Sequence, residues 1–120
     1  MDIRERNEKI ELYGRGFELL KAALTEVPAE AVQFKPQPKE WSVHEIIIHI
    51  ADSESNAALR ARKLISEPGS MLMGYDQDLW AERLGYDQAD PAESLATFDV
   101  LRRANLRLID RMSPQDLKRV

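Results

Sequence analysis

The 120-residue chain contains no cysteine. Disulfide staples, thiolate nucleophiles and sulfur-ligated zinc are therefore excluded within it. Aromatic residues are sparse, at 7%, so few large rings are available as packing anchors. There is no basic excess: 17 Lys and Arg stand against 21 Asp and Glu, a net charge of −4. Nucleic-acid surfaces carry a basic excess or stripe, so no nucleic-acid partner is expected. No segment approaches the ~18 consecutive apolar residues of a membrane span, and Met1–Lys9 lacks the apolar run of a secretory leader. The default expectations are no membrane partner and a cytoplasmic location. Only two histidines are present, His44 and His49.

What is present reads as a globular chain, 43% hydrophobic and 32% charged, with one domain expected over residues 1–120. The hydrophobic spacing is helical, so the fold class is all-α. Ile3, Ile10, Tyr13, Phe17, Leu20 and Leu24 recur at helical spacings and predict a first helix over 3–24. Gly14 and Gly16 interrupt it, marking either a close approach of another backbone or a bend. Val27–Glu40, with Pro28, Pro36 and Pro38, is a connector that cannot be regular helix. A second helix is expected from Val43 to about Ser66, stopped by Glu67-Pro68-Gly69-Ser70. Gly74–Trp80 leads into a short helix ending at Gly85. Asp76 and Asp78 within it lack the further oxygen positions of a calcium loop, and read instead as caps of a lid anchored by Trp80. A third long helix starts cleanly with Asp90 as cap, Pro91 next and Glu93 in the first turn. Asn105 falls on its inward seam and needs a buried partner, which the neighbourhood of His49 is placed to supply. Ser113-Pro114-Gln115-Asp116 opens a further helix that the chain, ending at Val120, does not complete.

The densest information lies in Trp41–Glu54. Ser42 and Glu45 form an S-x-x-E capping box, and Trp41 with Ile46 is spaced for a hydrophobic staple. Val43, Ile46, Ile47, Ile50, Ala57, Ala61 and Leu64 share one broad helical face. Ile48 and Leu59 point elsewhere, which implies a covering on a second side. His44, at the helix start, is expected on the surface. His49 sits at the edge of the apolar face, flanked by Glu45, Asp52 and Asn56. Glu54 lies near its middle, where a carboxylate needs a partner or water. A half-buried imidazole beside carboxylates suits a metal or proton-transfer site in a helix bundle. A histidine hydrogen-bonded at a core boundary fits the same spacing.

The pattern W-S-x-x-E-x-x-x-H-[LI]-x-D-x-E, carried by Trp41, Ser42, Glu45, His49, Ile50, Asp52 and Glu54, resembles the signature of the DinB/YfiT-like superfamily. Leu24–Pro28, Pro36-x-Pro38, Gly74–Ala81 and Leu101–Asn105 resemble it too, so the likeness spans nearly the whole chain. The resemblance implies an up-down four-helix bundle, here with three long helices and the fourth missing or truncated. It also implies a divalent metal of the zinc, nickel or iron class held by three histidines. His49 would be the first; the other two form an H-x-x-x-H pair on the fourth helix, which this sequence does not contain. The metal site is thus expected to be incomplete in this chain, and the chain to be a fragment. The implied activity is that of a metal-dependent hydrolase or thiol-cofactor transferase acting on a small-molecule or thiol substrate. Glu54 and Asp52 would then be the catalytic carboxylates, orienting ligands or shuttling a proton. The alternative is a non-catalytic helical module that forms a homodimer or binds a partner helix through Ile48 and Leu59.

Overall fold

The computed structural model describes residues 2–114. Four of the five α-helices among the described residues begin where a side chain satisfies the first free backbone N–H groups. Asp2 caps α1 (Ile3–Gly14) by accepting from the Glu5 N–H. The Ser42–Glu45 capping box opens α3 (Val43–Ser66), with both of its reciprocal hydrogen bonds in place. Asp76 caps α4 (Gln77–Arg83), and Asp90 followed by Pro91 opens α5 (Pro91–Ile109). The paired aspartates after Gly74 therefore serve the start of a helix, with Asp76 accepting from the Leu79 N–H. Beyond the connector's short 3-10 turn at Ala29–Ala31, the described residues contain no strand. The fourth-helix start expected at Ser113–Asp116 runs from residue 115 outside the described residues.

The first helix departs from its expected single span. It is divided at Arg15 into α1 and α2 (Gly16–Leu24). The cause lies on α5, whose side chains press into the break. A Cβ at Gly14 would stand 3.2 Å from Leu106 Cδ2, and one at Gly16 would overlap the Arg102 guanidinium. Arg102 Nη1 donates to the Tyr13 carbonyl at 3.0 Å, giving that group a partner beside the interruption. Both glycines therefore allow a close approach, but to α5 side chains rather than to another backbone. Ile3, expected on the inward seam, is 62% exposed.

The pair α3 and α5 forms the main packed unit, with α1 and α2 laid against α5. Helices α3 and α5 run parallel, since Glu54 meets Arg102 and Asn105 while Ala61 and Leu64 further on meet Ile109 and Met112. One core cluster joins Ala61 and Leu64 of α3 to Ile109 and Met112, with Ile10 and Tyr13 of α1 against it. A second joins Ile48 of α3 to Ala81 of α4 and Tyr86, with Trp41 and Trp80 against it. This second cluster is the covering that Ile48 implied. Leu59 has no such cover and stays 60% exposed. Among the described residues no helix is long and apolar enough to cross a membrane.

These contacts make Gly16→Ala destabilising by about 1–3 kcal/mol through overpacking, even though alanine favours helix by ~1 kcal/mol. Gly14→Ala, facing a movable leucine methyl, should change stability less. Urea unfolding of both variants checks this; a stabilised Gly16→Ala protein would mean Arg102 does not occupy the break.

Candidate functional site

His49 projects from the second turn of α3 and is half-buried. Its ring lies against Trp41, with centroids 4.8 Å apart and planes inclined by 59°. Trp41 in turn meets Tyr86 edge-on at 6.1 Å. Trp41 thus serves this packing, while Ile46, its expected staple partner, remains 41% exposed. Nδ1 of His49 is buried and has no hydrogen-bond partner among the described residues. Burial lowers the imidazole's pKa below its ordinary value, and the Asp52 carboxylate pulls the other way without overcoming it. The ring is therefore held neutral, with an uncommitted nitrogen, the form a metal ion takes as ligand.

Asp52 lies one turn along the same helix. Its Oδ2 accepts from the Tyr86 hydroxyl at 2.6 Å. Tyr86 is fully buried, and burial, followed by the bond to Asp52, raises its phenol pKa. The hydroxyl stays protonated and fixes the carboxylate beside His49. The sequence gives no signal for Tyr86, because its partner is 34 positions away and no local pattern links them.

Glu54 is 4% exposed and is the most heavily engaged carboxylate. Oε1 accepts from Arg102 Nη2 at 2.9 Å, and Oε2 from Asn105 Nδ2 at 2.9 Å. The Tyr13 hydroxyl donates to the same Oε2. Arg102 also stacks over the Tyr13 ring at 3.8 Å and the Phe98 ring at 4.8 Å. Burial, then the bond to Glu54, drives the Tyr13 phenol pKa upward, so it remains a donor. Asn105 finds its buried partner here rather than in the surroundings of His49. Its Nδ2 also reaches the Glu54 carbonyl at 3.2 Å.

Two further acidic and basic groups frame the helix start. Glu45, besides capping, pairs with Lys35 of the connector at 3.3 Å. His44 corrects the surface expectation, being 7% exposed. Its backbone N–H donates to the Val32 carbonyl at 2.9 Å, which draws the connector across the helix start and covers the ring. His44 and His49 do not converge. Among the described residues no group of three His, Cys, Asp or Glu side chains is placed to hold a metal ion. Each histidine ring leaves one buried nitrogen without a partner among the described residues, Nδ1 of His49 and Nε2 of His44, and the described residues do not complete a metal site.

Comparison with known proteins follows the same lines. A family model described as the DinB superfamily matches residues 13–120. A protein of Oceanobacillus iheyensis named "Putative metal-dependent hydrolase" is 32% identical over 102 residues, covering 84% of this chain and 58% of its own length. The Bacillus subtilis "Putative metal-dependent hydrolase YfiT" is 30% identical over 79 residues, covering 66% of this chain and 44% of its own. A solved structure, titled "YfiT from Bacillus subtilis is a probable metal-dependent hydrolase with an unusual four-helix bundle topology", superposes with a TM-score of 0.85 at 23% identity. It covers 98% of this chain and 67% of that one. The likeness places the fold among four-helix bundles. The chain spans about half the length of the curated relatives it matches, from 44% to 58%.

Two outcomes follow from this geometry. Tyr86→Phe removes a hydrogen bond to a charged acceptor and should cost about 1.5–3 kcal/mol in denaturant unfolding; no loss would show that Asp52 is not held by Tyr86. Because the pKa of His49 is lowered on folding, its contribution to stability is full above the unfolded value of ~6.5. That contribution declines as pH falls from there through the folded value. His49→Gln should flatten this part of the stability–pH profile, and an unchanged profile would contradict the buried neutral ring.

Proposed function

Because the chain belongs to the DinB superfamily, we propose that it is part of a divalent-metal-dependent enzyme of the hydrolase or thiol-cofactor transferase kind. In this reading His49 is one ligand of a site whose other ligands lie outside residues 2–114. One observation carries the proposal: Nδ1 of His49 is buried without a partner on a ring that burial keeps neutral. His44 also leaves a buried nitrogen, Nε2, without a partner among the described residues. What favours His49 as the ligand is its place in the W-S-x-x-E-x-x-x-H pattern and the Asp52 carboxylate, held by Tyr86, one turn along. A bound divalent metal of the zinc, nickel or iron class would supply Lewis acidity and lower the pKa of a coordinated water or thiol.

The two carboxylates take supporting parts. Asp52, held by Tyr86, stands beside His49 and sets the orientation and charge around the imidazole. Glu54 fixes α3 against α1 and α5, and so fixes the position of His49; it acts as a positioning residue. The association reading loses part of its basis, since Ile48 is spent on internal packing with Ala81 and Tyr86.

Metal content of the full-length protein tests the proposal, using equilibrium dialysis against Zn²⁺ and Ni²⁺ followed by elemental analysis. Loss of a group that hydrogen-bonds to a metal ligand and holds it in place commonly weakens metal binding about 10–100-fold. Direct loss of a ligand in His49→Ala should do at least as much. Unchanged metal binding in a folded His49→Ala protein would overturn the assignment.

A further inference from the structure

The face of α3 that bears His49 continues through Ser53, Asn56 and Arg60, each three or four residues on, and so along one side of the helix. Two adjoining cavities open there. The smaller, of about 120 Å³, is lined by Ser53, Asn56, Ala57, Arg60 and Tyr75. The larger, of about 300 Å³, shares Asn56, Arg60 and Tyr75 and extends over Leu59, Met71, Met73 and Trp80. One end of the combined space is thus polar and the other apolar.

The polar end holds groups without partners. Among the described residues neither Nε of Arg60 nor the hydroxyl of Tyr75, both buried, has a hydrogen-bond partner. Arg60 spends one nitrogen on the Met73 carbonyl, at 3.3 Å, and no carboxylate among the described residues pairs with its charge. Lys63, on the same lining, is already paired with Glu67 at 3.3 Å. Buried donors left unsatisfied are costly, and a charged one more so. At the apolar end the Tyr75 and Trp80 rings lie against each other, centroids 4.4 Å apart and planes inclined by 45°. Met71 and Met73 stand 85% and 77% exposed at its edge. Flexible thioether side chains around an apolar floor adapt to ligands of varied shape.

We propose that this space binds a small amphipathic carboxylate, its anionic head on Arg60 and the Tyr75 hydroxyl and its apolar body between Trp80 and the methionines. A guanidinium without an acidic partner takes a carboxylate in preference to a neutral or cationic head. The volume suits a compact ligand rather than a protein segment. This deepens the functional reading by naming a substrate class for the same helix face. It rests on that reading only in calling the bound molecule a substrate, because the binding itself needs no metal.

Octanoate, octanol and octylamine titrated into the full-length protein in EDTA, followed by calorimetry and by amide NMR shifts, test the proposal. Saturable octanoate binding that shifts residues around Arg60 and Tyr75 is expected, with octanol weaker and octylamine weakest. Arg60→Gln should weaken octanoate about tenfold or more, the loss typical of a charged hydrogen bond, and Arg60→Lys should restore part of it. Absent binding, equal binding of the three probes, or octanoate affinity indifferent to Arg60→Gln would overturn the proposal. Dialysis of the unsubstituted full-length protein against Zn²⁺ separates the two readings: metal uptake without octanoate binding sinks this inference alone, and octanoate binding without metal uptake sinks only the metal assignment.

Discussion

The buried carboxylate of Glu54 is the constraint on which the bundle depends. A single negative charge inside a small helical domain is untenable unless it is neutralised and its lone pairs are filled. Three donors do this, from two other helices: Tyr13 on α1, and Arg102 and Asn105 on α5. The requirement reaches further than the ion pair. For Arg102 to meet Glu54, its guanidinium must pass where a side chain at residue 16 would stand, which accounts for glycine there and for the break at Arg15. The aliphatic contacts between α3 and α5 tolerate sliding, whereas a charge with fixed donors does not. We take the Glu54 cluster to set the register of the helices, and the apolar clusters to supply most of the stabilisation.

The same registration positions the candidate site. His49, Asp52 and Glu54 lie within about one and a half turns of one helix, so anchoring Glu54 fixes where the imidazole stands. Tyr86 and Trp41 then complete its surroundings from the segments that flank α3. The three acidic or basic signature residues thus divide their labour. One anchors the helix, one orients, and one presents an uncommitted nitrogen. Further along, Arg60 and Tyr75 place unpartnered polar groups on the same face, so the polar character of this side of α3 extends well beyond the histidine.

Legibility in the sequence followed the range of the interaction. Helix starts were readable because Ser42, Asp76 and Asp90 act within three residues of themselves. The inward placement of Glu54 and Asn105 was readable from periodicity, but not that each is the other's partner. The burial of His44 was missed, because it depends on the connector returning to offer the Val32 carbonyl. The division of the first helix was half visible: two glycines marked the place, while the α5 side chains responsible lie far along the chain. Tyr86 was invisible for the same reason. A histidine partner for His49 was not readable, since the sequence holds one other histidine, His44, five residues away on the same helix.

The account stands most directly on the coupling between Glu54 and Arg102, which urea unfolding of Glu54→Gln, Arg102→Met and the double variant measures. Removing Arg102 alone strands a buried charge, at a cost of about 3–5 kcal/mol. Neutralising Glu54 in that background should recover a substantial part, giving a double variant more stable than Arg102→Met and a coupling of about 1–3 kcal/mol. Additive losses, with the double variant the least stable of the three, would show that the helices are held in register by something other than this charge.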